Sequence, residues 1–505
     1  MDNKEKNIMK DNKKKILHIA IIIIGTVFLL LSAFHTNIWF DESYSVSIAN
    51  HSFAEIWKIS SYDVHPIFYY WILRIINLIF GPNIYLYRIF SVLCIVLTGL
   101  LGYTHIRKDF GEKVGILFSY FAFFLPAICV YAVEIRMYSL ALYLASILGI
   151  YAYRIVKDKF SKKNWIIFAI ASLCLAYTHY YGLITSGIVN LILFIYILIK
   201  KKDDKKYLKC FIIQAIIEVL LYLPWIGPFL YRSLKSSGGF WIKIKFPNTI
   251  MEILNFQYSG VLSDPFSIKC IIALIFAVAL YAYIISLIIK KVIQDKKDKK
   301  SFLNAGVWAI LVYLAVILAA WIISIKTEIL YSRYLLVITG FLAFGLAYFL
   351  AKEKHIIITF IILTCITGMA IYNEYGLIKE NYADSNLEAI NYIKENIKED
   401  DIIIYNRINM AILNTYFPDN TQYFLNFGHW GVHEAYKAYA PSMKIVEDWE
   451  FLNDFQGRIW IMDSENSTYV YDNIDKNIVE TVEEWKHFES DYHGYKYDIN
   501  VVEKK

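Results

Sequence analysis

Two carboxylates stand side by side in Trp39-Phe40-Asp41-Glu42-Ser43-Tyr44, and an acid and an imidazole stand two apart in Asp63-Val64-His65-Pro66. A carboxylate beside water can take the proton of an attacking hydroxyl or ligate a hard metal ion. Asp63 and His65 could hold a phosphate, a metal or a hydroxyl. The blander readings are solvated acids next to an aromatic belt, and a polar cap on a proline-started helix. A third group is Tyr131-Ala132-Val133-Glu134-Ile135-Arg136-Met137-Tyr138. Glu134 and Tyr138, four apart, would share a helical face, with Arg136 pointing elsewhere. Another cation lies in Tyr331-Ser332-Arg333-Tyr334. The plain alternatives are an ion pair closing a hairpin at Glu134–Arg136 and a snorkelling anchor at Arg333. Glu218 and Gln214, inside an apolar run, read as a buried hydrogen-bonded pair. Acids and cations of this kind suit one chemistry. A sugar on a lipid phosphate already has a leaving group, so its transfer needs a base for the acceptor and cations for the departing phosphate. Unlike glycoside hydrolysis, it needs no second carboxylate as general acid.

The elements that must position these residues are membrane helices. Hydrophobic residues make up 57% of 505 positions and mean hydropathy is +0.43, which makes a bilayer the solvent for most of the chain. Apolar runs long enough to span occur at 16–34, 84–105, 114–133, 137–156, 164–180, 182–199, 208–229, 266–289, 302–325, 331–350 and 356–372. The stretch 66–80 is shorter, about 22 Å as a helix, and carries Arg74 and Asn77. Charge decides its place. With 66–80 lying in the interface, the lysine-rich N-terminus shares one side with 107–113, 157–163, 200–206, 290–300 and 352–354, as the positive-inside rule requires. With 66–80 spanning, those connections flip. The interfacial reading puts 35–83, Glu134–Arg136, 180–182, 230–265 and 326–330 on the outer side, together with the tail. The N-terminal lysines and the run behind them resemble a signal peptide, but the run can span and no small-residue cleavage site follows, so it reads as an uncleaved first helix.

Residues 373–505 carry 12 Lys and Arg against 25 Asp and Glu, a net of −13, which leaves +19 on residues 1–372. The basic balance therefore belongs to the membrane body, and no aromatic-basic groove or zinc spacing points to nucleic acid. The six cysteines show no paired spacing and none lies in the tail, so no disulfide frame is expected there. The tail reads as a soluble α/β domain. Strands are expected at 402–405, 458–463 and 495–502, and a capping box Ser385-Asn386-Leu387-Glu388 should open a helix running to Lys398.

Trp-Phe-Asp-Glu-Ser-Tyr, Asp-Val-His-Pro-Ile-Phe-Tyr-Tyr, Tyr-Arg-Ile-Phe-Ser at 87–91 and Glu-Ile-Arg-Met-Tyr-Ser-Leu occur in order. The set resembles bacterial relatives of the protein O-mannosyltransferases and the aminoarabinose transferases, within the C-type membrane glycosyltransferases (family 39-like). It covers residues 35–145 well. It continues weakly through Thr178-His179-Tyr180-Tyr181-Gly182, Gly239-Phe240-Trp241-Ile242 and Ser332-Arg333-Tyr334-Leu335. The resemblance implies a polyprenyl-phosphate-sugar donor, an outer-face active site, an interfacial helix in the first loop and an extracytoplasmic C-terminal domain. By carry-over Asp41 would be the base, with Glu42 beside it and Glu134 in the catalytic set. Asp63, His65, Arg136, Tyr138, His179 and Arg333 would hold donor phosphate or acceptor. Relatives differ in metal use, so a divalent ion, held by Asp41, Glu42 or His65, is left open. Many relatives have His-Pro-Pro where this chain has His65-Pro66-Ile67, a change that should alter the helix start little.

The expectation is thus a polytopic α-helical membrane protein of about eleven transmembrane helices. An interfacial helix lies in the first outer loop (35–83), residues 1–372 form the transferase domain, and 373–505 form an extracytoplasmic α/β domain. Its function would be inverting transfer of a hexosyl or pentosyl group to a protein, glycolipid or wall-polymer acceptor outside the cell membrane. A rival is a lipid-linked glycan flippase or transporter, which would need ionisable groups along the midplane or inverted repeats. A scaffold with a sensing tail is the third reading.

Overall fold

Backbone polar groups in lipid must be satisfied within the segment itself, and the apolar runs accordingly form helices. The computed structural model describes residues 3–201, 203–236, 242–260, 266–297, 304–426, 435, 439–440, 442–453, 455–465 and 467–505. Among the described residues the α-helices, in chain order, are α1 (Asn3–Leu30), α2 (Phe40–Ile48), α3 (Phe53–Ser60), α4 (Phe68–Phe80), α5 (Ile84–Leu101), α6 (Arg107–Phe110), α7 (Glu112–Phe124), α8 (Pro126–Tyr131), α9 (Tyr138–Lys157), α10 (Lys162–Ala176), α11 (Tyr180–Lys200), α12 (Lys205–Ser236), α13 (Asn248–Ser259), α14 (Ile268–Lys297), α15 (Ala305–Ser324), α16 (Thr339–Leu350), α17 (Ile356–Asn381), α18 (Glu388–Asn396), α19 (Leu413–Tyr416) and α20 (Tyr469–Asn473). A π-helical turn, Gly102–Ile106, joins α5 to α6, and a 3₁₀ turn, Ser332–Ile338, leads into α16.

Among the described residues eight helices are long and apolar enough to cross a membrane. They are Ile84–Phe110, Tyr138–Lys157, Tyr180–Lys200, Lys205–Leu234, Ile268–Gln294, Ala305–Ser324, Ser332–Leu350 and Ile356–Asn381. The other apolar runs are helical too, but α10 has only 15 residues and the run 114–133 is divided at Leu125-Pro126. Pro126 has no amide hydrogen to give to the α7 ladder and instead starts α8 at its first position. Helix α4, at 13 residues, is about 20 Å long, well short of a hydrocarbon core of roughly 30 Å.

The described residues form two compact units, 1–33 with 88–375 and 34–87 with 376–505. In the first, the basic connections gather at one end of the bundle. Arg154 Nε donates to Asp109 at 2.8 Å, Arg107 lies 3.8 Å from Glu112, and the Tyr207 hydroxyl donates to the Asp158 carbonyl. Phe110 packs on Tyr153 and Tyr348, and Lys352 covers the Tyr348 ring. The expected Glu218 pairing widens into a network: Ser172 of α10 donates to Glu218 and accepts from Asn190 of α11, to which Gln214 also donates.

In the second unit a six-stranded sheet runs in the order β3-β2-β1-β4-β6-β5, from β1 (Ile402–Tyr405), β2 (Gln422–Leu425), β3 (Met443–Val446), β4 (Arg458–Asp463), β5 (Val479–Glu489) and β6 (Lys496–Lys504). The first four pair in parallel, with Ile403 opposite Trp460, and β6 and β5 close the sheet antiparallel. Asp401, at the start of β1, accepts from Arg458 at 2.7 Å and from the Trp460 indole at 2.9 Å, tying β1 to β4. The expected capping box at Ser385–Glu388 does not form. The Ser385 hydroxyl donates to Asp491, and α18 starts behind a 3₁₀ turn with no side-chain cap. A capping box exists instead at Ser52–Glu55, opening α3. None of the six cysteines forms a disulfide.

Candidate functional site

Each compact unit holds part of the sequence-identified set. In the second, Asp41 and Glu42 occupy the first turn of α2, where a carboxylate complements the helix dipole. Asp41 is half-buried, and Glu42 is fully buried and accepts from the Tyr492 hydroxyl at 2.8 Å. The Phe40 amide donates to Tyr495, Ser43 pairs with Thr415, and Trp39 stacks on His493 at 4.9 Å. Burial first, and then the charges of Asp41 and Glu42, push the Tyr495 hydroxyl above its ordinary pKa. It therefore keeps its proton while accepting from the Phe40 amide. Asp63 and His65 are buried in the turn before α4, which begins at Phe68 rather than at Pro66. The Tyr70 hydroxyl donates to Asp63 at 3.3 Å while its ring meets Tyr44 of α2, and Asn77 donates to the Ala49 carbonyl. Through these contacts α4 and the Asp63 turn are keyed to the helix that carries Asp41.

In the first unit, Glu134, Arg136, Tyr138, His179 and Arg333 gather at the end of the bundle away from the basic connections. The expected shared helical face of Glu134 and Tyr138 is not formed, because 132–137 is a non-helical bend and Tyr138 starts α9. A helical spacing rule does not apply across a bend. Arg136 is buried, and its charge disfavours protonation of His179. The guanidinium of Arg333 lies 5.5 Å from the ring centres of both Tyr138 and Tyr331, within cation–π range. Tyr138 in turn meets His179 at 5.8 Å, and Tyr334 meets His179 at 4.9 Å. His179 sits in the connection between α10 and α11, caps α11 by accepting from the Tyr181 amide, and is 2% exposed. Burial, then Arg136 and Arg333, hold its pKa down to about 3, so the imidazole is neutral. Arg136 and Arg333, set against the carboxylate of Glu134, leave an excess of positive charge beside His179, which favours an anion.

Two bracing residues had no role in the sequence reading. Arg88, 1% exposed, donates to the Val133 carbonyl at 2.9 Å, and Ser91 donates to the Glu134 carbonyl at 2.7 Å. The available signal was an arginine inside an apolar run, which is costly unless paired. Gly239, Phe240 and Trp241 lie outside the described residues. Among the described residues no group of three or more His, Cys, Asp or Glu side chains is placed to hold a metal ion, and Asp41, Glu42 and His65 form no such group.

A family model, dolichyl-phosphate-mannose-protein mannosyltransferase, matches residues 64–231. Among solved structures, ArnT from Cupriavidus metallidurans in the apo state is similar over 98% of both chains, at 12% identity and a TM-score of 0.62. The same ArnT bound to undecaprenyl phosphate is similar over 96% of this chain and 97% of that one, at 12% identity and a TM-score of 0.58. No curated protein sequence matches. In fold, and in the matched stretch of sequence, the chain resembles the C-type membrane glycosyltransferases of the mannosyltransferase and ArnT kind.

Proposed function

We propose that the chain is an inverting glycosyltransferase that moves one sugar from a polyprenyl phosphate to an acceptor hydroxyl or amine on the outer side of the cell membrane. The observation that carries the reading is the pair of buried guanidiniums, Arg136 and Arg333, gathered with Tyr138, His179 and the acid Glu134 inside a multi-pass helical bundle. A lipid phosphate is the anion a membrane protein would hold there. The mannosyltransferase match over 64–231 and the ArnT-like fold support the same donor class.

In the proposed reaction the acceptor oxygen or nitrogen attacks C1 of the sugar as its proton passes to the Asp41 carboxylate. The bond from C1 to the phosphate oxygen breaks, and the pair of electrons leaves on the polyprenyl phosphate. One displacement inverts C1. Glu42, engaged by Tyr492, fixes the first turn of α2 and hence the direction of Asp41. Arg136 and Arg333 bind the charge that grows on the leaving phosphate, a type of stabilisation that acts most strongly where water is excluded. Mass spectrometry of envelope glycans with and without the protein should show loss of one sugar from one acceptor class, which identifies both.

The test is turnover of lipid-linked sugar by purified protein in liposomes. Asp41→Asn, nearly the same shape, should lower turnover by on the order of 10²-fold or more with an unchanged thermal transition. Full activity in that variant would remove the mechanism.

A further inference from the structure

Between α9, α11, α15 and α16 runs a crevice of about 380 Å³. Its walls are apolar, with Ile150, Val189, Leu193, Val312 and Phe341 among them. Along α9 it extends from Ser146 to Val156, and along α11 from Val189 to Lys200, so it is roughly 15 Å long. Among the described residues Lys200 is the one charged lining group, and it is exposed at the crevice's end. Tyr153, Tyr196 and Trp308 also line it, residue types that sit at headgroup depth in membranes.

That end belongs to the basic side of the bundle, where Arg154 and Lys157 close α9. Tyr138 and His179 lie at the opposite ends of α9 and α11, and α9 alone, with its 20 residues, is about 30 Å long. A phosphate held by Arg136 and Arg333 is therefore far from Lys200. A helix with side chains is about 10 Å across and would need a much larger groove than this one. A single extended hydrocarbon chain has the right cross-section.

We infer that this crevice seats one acyl chain of an anionic phospholipid from the leaflet on the lysine-rich side, with its phosphate at Lys200. The charge argues for an anionic headgroup, since each lysine near a membrane surface is worth about fivefold in affinity for acidic lipid. The apolar wall argues for the chain, because an empty groove forfeits the dispersion contacts of its lining. The seated lipid also braces the helices that carry Tyr138 and His179 at their far ends, and α16, which follows the turn bearing Arg333. Binding at this site does not depend on the catalytic reading above.

The experiment is native mass spectrometry of the delipidated full chain in detergent, titrated with phosphatidylglycerol, phosphatidylcholine or a polyprenyl phosphate. One phosphatidylglycerol per chain should be retained, about fivefold or more tightly than phosphatidylcholine. Lys200→Glu should erase that preference. Ala309→Phe, which fills the crevice, should expel the lipid with the thermal transition kept; Val189→Phe, from another wall, serves if the first variant does not fold. Equal retention by the filled variants, equal binding of the two phospholipids, or displacement of phosphatidylglycerol by polyprenyl phosphate would each overturn the inference.

Discussion

A guanidinium buried close to a bilayer needs a reason, and the proposed donor phosphate gives Arg136 and Arg333 a shared one. Each is almost fully buried, and the positive charge of each disfavours the protonated form of His179. Charge-assisted hydrogen bonds to a phosphate contribute about 1.5–3 kcal/mol apiece. Arg333→Ala should therefore weaken polyprenyl phosphate binding by roughly 10- to 100-fold, read by titration of the purified chain. Arg333→Lys should recover only part, because an ammonium keeps the charge and loses the fork. Unchanged binding in the alanine variant would end the phosphate role. The residue types of this cluster were legible in the sequence; their mutual geometry was not. Arg136 and His179 come from connections some forty positions apart, and the helical spacing that paired Glu134 with Tyr138 fails on the bend at 132–137.

Elements were legible where one physical force dominated. Long apolar runs became helices, and β1 and β4 fell where alternating and β-branched residues placed them. The Ser385 box failed because its hydroxyl found Asp491, more than a hundred residues on, a competition no local pattern reports. In the same way Tyr492, Tyr495 and His493 meet α2 across some 450 positions. The tail carries its own titration. Asp463 at the end of β4 accepts from the Val470 and Tyr471 amides at 2.9 and 3.2 Å, yet burial, helped by Asp498, pushes its pKa up to about 6. A folded value above the unfolded one of about 4 means the fold binds the extra proton. Its contribution to stability is complete below about pH 4 and disappears as pH rises through 6. Hydrogen exchange at the amides of 470 and 471 should accelerate over that window beyond its intrinsic pH dependence. Asp463→Asn should flatten the change, and an unaltered profile in that variant would rule the linkage out.

At the scale of the whole molecule, the charge rule needed 66–80 to stay out of the bilayer, and α4 is too short to cross and packs within the second compact unit. The proposed orientation puts the lysine-rich connections inside and the first loop outside. In sealed vesicles of a variant lacking the native cysteines, an impermeant thiol reagent added outside should label Asp41→Cys and spare Phe160→Cys and Asp204→Cys. The reverse pattern would invert the topology and the proposed site with it. The π-helical turn at Gly102–Ile106 sets how this chain superposes on others that share its fold. Such a turn takes in one residue more than the α-helical repeat, so the angular phase slips by about 100° within a single rod. Arg88 and Ser91 stand before the slip, Arg107 and Asp109 after it. At 12% identity an ungapped superposition of this rod would agree on one side of Gly102 and be turned by more than a quarter revolution on the other, unless the partner carries the same turn.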